Sequence, residues 1–257
     1  MSKMEESYVK TNVENGVASV EFYHIKKNSM PSDQLARLAE AIDECGKNDK
    51  VRVVILRSAG DGAFCAGASF DELVAISNEK EGLQFFSGFA RVINAMRSCP
   101  KFILGRIQGK AVGGGVGLAS ATDFCFAHQS ASVKLSELAV GIGPFVVGPA
   151  VERKVGLSGM SELAIDATSW RSAEWARDKG LYNGVYDTHA EMDEALNALA
   201  ERLASSSPQA MHKLKEVFWQ NTSHWEDLLR ERAAISGELV LSEFTRSAIA
   251  AFKSGKR

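Results

Sequence analysis

The sequence has no apolar run long enough to cross a bilayer, and it carries almost no excess charge of either sign. Its 257 residues include 30 basic and 32 acidic side chains, for a formal net charge of −2. A near-neutral chain gives no electrostatic reason to expect nucleic acid or an acidic membrane as a partner. Met1 to Glu6 also lacks the apolar segment of a signal peptide. We therefore expect no nucleic-acid partner and no membrane partner.

Metal-binding patterns are missing as well. The chain has 4 cysteines and 5 histidines, and no two cysteines form the CxxC pair of structural zinc sites. No two histidines have the i, i+4 spacing that is typical of a metal site on a helix. We expect no metal site, and the scattered cysteines indicate reduced thiols and a cytoplasmic location.

What the sequence does contain is the composition of a globular protein, with 45% apolar and 24% charged residues. The alternation from Val17 to Tyr23 predicts a half-buried strand, and Pro31 begins a helical pattern. Val51 to Leu56 predicts a compact strand. A helix around Leu83 to Met96 leads into a strand at Phe102 to Leu104. Strand, glycine loop and helix recur twice before residue 140, which predicts an α/β fold of repeated ββα units.

The pattern changes near residue 191, after which only helical apolar stripes occur. The apolar positions are Leu196, Leu199, Ala200, Leu203, Met211, Leu214, Val217 and Phe218, followed by a stripe from Trp225 to Phe252. We therefore divide the chain into a core at residues 1–190 and a helical region at residues 191–257. Apolar stripes beyond what a small core needs indicate contact with a partner.

Two glycine-bearing stretches are the most informative part of the sequence. The first is Ala63-Phe64-Cys65-Ala66-Gly67-Ala68, and the second runs from Gly109 to Gly117. Such loops expose backbone N–H groups, and two converging N–H groups can hold a developing oxyanion. The second stretch also opens a helical pattern, so that its amides would lie at a positive helix end.

Glu137 follows Gly117 by twenty residues and is surrounded by apolar sequence. Leu135, Leu138 and the run Pro144 to Val147 would form an apolar wall. A carboxyl group in such a wall is desolvated, and desolvation raises its pKa toward neutral pH, where it suits general acid–base catalysis. A solvated Glu remains the simpler alternative.

Taken together, these segments resemble the crotonase (enoyl-CoA hydratase/isomerase) superfamily, over roughly Val9 to Lys253. The resemblance implies a crotonase-type spiral of ββα units with a C-terminal helical trimerisation region. It implies oxyanion positions at Ala68 and Gly114 and the catalytic glutamate at Glu137. The implied contacts with substrate and CoA are Ala66, Ala68, Ser69, Phe70, Asp71, Gly114, Phe252 and Lys253.

The same resemblance implies an acyl-CoA substrate, no cofactor beyond the CoA carried on it, and a homotrimer or hexamer. Phe252 and Lys253 would help to bind the CoA of a neighbouring subunit. Further matching segments are Asn28-Ser29, Asp123 and the run from Trp170 to Ala176.

Two positions depart from the family pattern. Ser69 replaces the usual Asp, and Gly117 stands where a two-glutamate hydratase carries its first catalytic Glu. Asp71 and Glu72, expected in the first turn of a helix, are the nearest substitutes. Hydration commonly uses two carboxylates in this family, whereas moving a double bond between the 3- and 2-positions needs one. We expect a side chain at Gly117 to point into the space over the thioester, opposite Glu137.

Three functions therefore stay open within the family, with the hydratase first, a 3,2-enoyl-CoA isomerase second and a non-catalytic acyl-CoA-binding relative third. Outside the family, Gly115-x-Gly117 before an acidic residue also fits part of a dinucleotide-binding unit, but its third glycine is missing. The glycine run could also serve close helix–strand packing alone.

Overall fold

The computed structural model describes residues 7–253, apart from the side chains of residues 252 and 253. The strands are β1 Ser7–Glu14, β2 Val17–His24, β3 Val53–Ser58, β4 Phe102–Ile107, β5 Ala111–Val112, β6 Phe124–His128, β7 Val133–Lys134 and β8 Gly184–Tyr186. The helices are α1 Ser32–Lys47, α2 Phe70–Ala75, α3 Glu79–Ser98, α4 Gly114–Ala121, α5 Gly148–Ile165, α6 Ala173–Asp178, α7 His189–Ala204, α8 Pro208–Phe218, α9 Trp225–Leu239 and α10 Glu243–Lys253, with a 3-10 turn at Leu138–Val140.

A six-stranded sheet with the order β1-β2-β3-β4-β6-β8 forms the centre of the fold. Only the β1–β2 pair is antiparallel, and the other pairs are parallel. All six residues of β4 are buried, which explains its unbroken apolar start, because strands of a parallel sheet are covered on both faces.

A second, smaller sheet pairs β5 with β7 and is widened on both sides by single bridges. Cys65 pairs with Ala111 in parallel, and Val133 pairs with Arg171 in antiparallel orientation. Ala111 and Val133 are themselves partners. The small sheet thus joins the loop that carries Ala68 to the glycine run and to the segment before Glu137.

The C-terminal helices pack on the rest of the chain. Met192, Leu196 and Ala200 of α7 are buried with β3 and β4 residues in one apolar cluster. Helices α3 and α9 cross so closely that a Cβ on Gly82 would lie 2.7 Å from the Gly237 backbone. The division at residue 190 stays a prediction, and the region after it covers the core in the same chain.

Most predicted elements are confirmed, with shifted ends. Helix α1 begins directly after Pro31. The strand expected from Val51 begins at Val53, because the Val51 N–H bonds to the Asn48 carbonyl in a turn. Helix α3 starts earlier than expected, since the Asn78 side chain caps it by accepting from the Glu81 N–H. Within residues 7–253, no helix is both long and apolar enough to cross a membrane.

Candidate active site

One cavity of about 440 Å³ collects most of the predicted site residues. Ala66, Ala68, Phe70, Gly114 and Glu137 all line it. The cavity lies where the small sheet, the N-terminus of α4 and helix α3 meet. The fold thus brings together predicted residues from segments that are far apart along the chain.

Four other predicted contacts lie elsewhere or cannot be placed. The Ser69 side chain caps α2 by accepting from the Glu72 N–H, and Asp71 forms an exposed ion pair with Lys26. Neither residue lines the cavity. The side chains of Phe252 and Lys253 lie outside the described part of the chain.

The loop before Ala68 is held in place by backbone hydrogen bonds. The Met30 N–H donates to the Gly67 carbonyl at 2.8 Å, and the Ser69 N–H donates to the Met30 carbonyl at 3.1 Å. Gly67 has a φ of +90°, and a Cβ on it would lie 3.0 Å from the Val112 carbonyl oxygen, so this position favours glycine. Within the described residues the Ala68 N–H donates to no backbone carbonyl, which leaves it available to a bound oxygen.

Asn28 ties this loop to the end of β2. Its side chain is almost fully buried; it donates to the carbonyls of Ala59 at 3.0 Å and Ala63 at 2.9 Å. It also accepts from the His24 N–H at 3.0 Å. Asn tolerates the left-handed φ of +55° found here. The Asn28-Ser29 motif thus supports the loop from a distance.

The second amide lies at the start of α4. Gly113, with a φ of +53°, precedes the helix, and its N–H donates to the Lys134 carbonyl at 2.9 Å. Gly114 is the first helical residue, so its N–H has no partner within the helix. A Cβ on Gly114 would lie 2.1 Å from Cζ of Phe89. The phenyl ring therefore packs directly on the glycine that carries the second amide.

Glu137 presents a buried carboxyl group to the cavity. The residue as a whole is half-buried, but its Oε2 atom is buried and has no hydrogen-bond partner among the described residues. Burial raises the pKa of this carboxyl from 4.5 to about 7, opposed only by a hydrogen bond from its own backbone. Both the protonated and the ionised forms are therefore populated near neutral pH, which suits a group that accepts and returns a proton.

The expectation about Gly117 is wrong. A Cβ at this position would lie 2.4 Å from Cγ1 of Val147 and not in open space. Val147 lines the cavity, so its side chain fills the volume that a side chain on Gly117 would need. Gly115 is equally close to the neighbouring loop, since a Cβ on it would lie 2.5 Å from the Cys65 carbonyl oxygen. Close packing thus explains Gly115 and Gly117, while Gly113 and Gly114 border the cavity.

The candidate substitutes for a second carboxylate do not line the cavity. Glu72 accepts hydrogen bonds from the Ser32 N–H at 3.0 Å and from the Ser32 hydroxyl at 2.6 Å. This places its carboxylate at the N-terminus of α1. Asp71 is paired with Lys26. Among the lining residues within 7–253, Glu137 is the one carboxylate.

The apolar walls of the cavity are Leu73, Phe85, Phe86, Phe89, Val140, Ile142, Phe145, Val146 and Val147. The run after Glu137 was predicted as an apolar wall, whereas Leu73 and the three phenylalanines of α3 were missed. Ser236 of α9 also lines the cavity, so the C-terminal region contributes to the site within one chain. The three phenylalanines lie within five residues of α3, a cluster that could have indicated an apolar pocket.

Comparison with known proteins shows which family and fold the chain is similar to. A family model described as enoyl-CoA hydratase/isomerase matches residues 12–249. A probable enoyl-CoA hydratase of Bacillus subtilis (strain 168) is 31% identical over 242 residues, which is 93% of each chain. The human mitochondrial methylglutaconyl-CoA hydratase is 34% identical over 193 residues, 74% of this chain and 56% of the relative. The crystal structure of an enoyl-CoA hydratase from Bacillus halodurans has the same fold, with a TM-score of 0.86 at 18% identity over 95% of this chain and 99% of the other.

Proposed function

Because the chain belongs to the enoyl-CoA hydratase/isomerase family, we propose that it adds water to the double bond of a 2-enoyl-CoA thioester. The observation that carries the proposal is the buried Glu137 carboxyl, with its raised pKa, in one cavity with Ala68 and Gly114. The relatives reported above are named as hydratases, which supports hydration as the first candidate.

In the proposed reaction the N–H groups of Ala68 and Gly114 bind the thioester oxygen while negative charge builds on it. The oxygen of water bonds to C3, one water proton passes to Glu137, and Glu137 returns a proton to C2. Removal of one such backbone donor typically costs about 10²–10³ in rate. General acid–base groups typically contribute about 10²–10⁴.

A second candidate, the shift of a double bond from the 3- to the 2-position, is favoured by a separate observation. Glu137 is the one carboxylate among the described lining residues, and Val147 fills the space beside Gly117. An isomerase needs a single base that removes a proton from C2 and returns it to C4. Hydration must instead orient water with Glu137 and backbone groups.

Two assays on the purified protein separate these candidates. Hydration removes the conjugated thioester absorbance of crotonyl-CoA, and isomerisation of a 3-enoyl-CoA creates it. We expect faster turnover of crotonyl-CoA. Turnover of the 3-enoyl-CoA without turnover of crotonyl-CoA would identify the protein as an isomerase and not a hydratase. Binding of both thioesters without any turnover would identify a non-catalytic acyl-CoA-binding protein.

We also propose a homotrimer or hexamer, with no cofactor beyond the CoA of the substrate, in the cytoplasm. Leu214, Val217 and Phe218 of α8 and Phe244 of α10 are exposed, and such apolar surface favours a subunit contact. The four cysteines are free and buried, as expected in a reducing compartment. Light scattering at micromolar concentration tests the assembly, and a monomeric mass would contradict it.

A further inference from the structure

The small sheet places four residues in a row along the floor of the cavity. Ala66, Val112, Lys134 and Trp170 follow one another across neighbouring strands, one position beyond the paired residues described above. All four line the cavity. Because neighbouring strands lie about 4.8 Å apart, the row extends for roughly 14 Å from Ala66 to Trp170.

The two ends of the row would contact different parts of the substrate. Ala68 and Gly114, which would hold the thioester oxygen under the proposed function, belong to segments at the Ala66 and Val112 end of the row. The CoA-contacting loop implied by the family resemblance is also at that end. An acyl group bound through its thioester oxygen therefore extends toward Lys134 and Trp170.

Two cationic side chains meet at this far end. The Lys134 Nζ lies 4.6 Å from the centroid of the Trp170 ring, and the Lys110 Nζ lies 4.7 Å from the same centroid. Lys110 precedes Val112 by two residues and so faces the same side of the sheet. Trp170 is 40% exposed. Trp170 and Lys134 thus face the space that the end of the acyl group would enter, and the Lys110 ammonium lies beside them, over the same ring.

Neither cation perturbs the Glu137 carboxyl. Burial raises the pKa of Glu137, and no neighbouring ammonium group contributes to its shift. A cation close to this carboxyl would favour its ionised form and lower the pKa. Lys110 and Lys134 are therefore placed to act on a different part of the ligand from the part that Glu137 serves.

We propose that Lys134, assisted by Lys110, binds an anionic group at the far end of the acyl chain, so that the preferred substrate is a short enoyl-CoA that ends in a carboxylate. Ammonium groups donate charge-assisted hydrogen bonds to carboxylates, and the Trp170 ring packs against the chain that leads to it. The inference rests on the proposed function for the direction in which the substrate lies.

Two matched pairs of thioesters test the inference. Glutaconyl-CoA carries the terminal carboxylate that crotonyl-CoA lacks, and glutaryl-CoA and butyryl-CoA are their saturated, unreactive counterparts. In the wild type we expect glutaconyl-CoA to have the higher kcat/KM and glutaryl-CoA the lower Kd. Lys134→Met should reduce both preferences by roughly tenfold, the lower end of what a hydrogen bond to a charged group contributes. Lys134→Arg, which keeps the charge, should retain most of the preference.

Lys10→Met is the control, because Lys10 also lies over an aromatic ring, that of Tyr8 at 4.1 Å, but outside the cavity lining. It should change neither preference. An equal weakening of all four thioesters by Lys134→Met would show that the lysine binds a phosphate of CoA and would overturn the proposal, as would unchanged preferences. The Kd values for the saturated pair do not depend on turnover. A preference for glutaryl-CoA without turnover of either enoyl-CoA would therefore sustain the anion site and reject the proposed reaction.

Discussion

The two sides of the cavity use different chemical groups: backbone amides on one side and a side-chain carboxyl on the other. On one side, the N–H groups of Ala68 and Gly114 are fixed by backbone hydrogen bonds and by glycines with a positive φ at Gly67 and Gly113. On the other side, Glu137 depends for its pKa on burial among apolar side chains. Backbone donors survive a change of their own side chain unless the new side chain displaces the backbone. The Glu137 carboxyl, in contrast, can be removed by one substitution.

The largest expected effect comes from removing the Glu137 carboxyl. Glu137→Gln keeps the shape of the side chain, but its amide cannot accept and return a proton at neutral pH. We expect turnover to fall by about 10²–10⁴, measured with the crotonyl-CoA and 3-enoyl-CoA assays. Acyl-CoA affinity should change little, because the backbone side is intact. Glu152→Gln, an exposed glutamate on α5, is the control. A variant that kept more than about a tenth of the wild-type rate would exclude Glu137 as the acid–base group.

A methyl group on Gly114 should damage the backbone side almost as strongly. Its Cβ would lie 2.1 Å from the Phe89 ring, so that either the ring or the amide must move. We expect Gly114→Ala to lower kcat by about 10²–10³, the usual effect of losing an oxyanion donor. The double variant with Phe89→Leu should recover part of the rate.

Gly62→Ala is the matched control for this substitution, because a Cβ there meets no atom within 4 Å. It should leave kcat unchanged. A Gly114→Ala variant with wild-type kcat would mean that the Gly114 amide does not act in catalysis.

The buried Glu137 carboxyl should also lower the free energy of unfolding by an amount that depends on pH. The folded protein keeps the Glu137 proton up to about pH 7, whereas an unfolded glutamate releases it near pH 4.5. Between these values the folded state binds more protons, so this group makes the free energy of unfolding fall as pH rises. We expect Glu137→Gln to be more stable than the wild type at pH 8 by up to about 3 kcal/mol.

That difference should become small at pH 4.5, where the folded wild type holds the proton and the unfolded carboxyl is half protonated. Urea unfolding at both pH values measures it, with Glu152→Gln as the control. Equal differences between wild type and Glu137→Gln at pH 8 and pH 4.5 would argue against a buried, pKa-shifted carboxyl.

The smallest expected effect concerns Gly117, which packs against Val147. Gly117→Glu alone should destabilise the protein by about 1–3 kcal/mol, as overpacking usually does, because its Cβ would overlap Val147. Gly117→Glu combined with Val147→Ala opens that space and supplies a second carboxylate to orient water. We expect this pair to raise the ratio of hydration to 3-to-2 isomerisation severalfold over Val147→Ala alone. A lower ratio would mean that water is already oriented by other groups.

The sequence allowed the fold class, both glycine stretches and Glu137 to be predicted, because each depends on a local pattern. Gly67, Gly113 and the helix at Gly114 follow from backbone geometry, and the apolar run around Glu137 indicated its burial. The contacts of Phe89 and Val147 with the glycines of α4 could not be predicted in the same way. These contacts, with Gly114 and Gly117, depend on how α3 and the start of α5 pack against α4.

The partners of Asp71 and Glu72 could not be predicted from the sequence either. Both lie in the first turn of α2, as expected. The sequence did not indicate that Glu72 would bind Ser32 or that Asp71 would bind Lys26, because those partners lie about forty residues earlier in the chain. The row from Ala66 to Trp170 likewise exists only after three separate pairings have formed.

An infrared titration of the carboxyl groups in wild type and Glu137→Gln tests the raised pKa of Glu137 most directly. We expect one carboxyl band in the wild type that titrates near pH 7 and is absent from the variant. A wild-type spectrum in which every glutamate titrates near its ordinary pKa, or in which the band near pH 7 persists in Glu137→Gln, would contradict the claim that this single buried carboxyl is the acid–base group of the site.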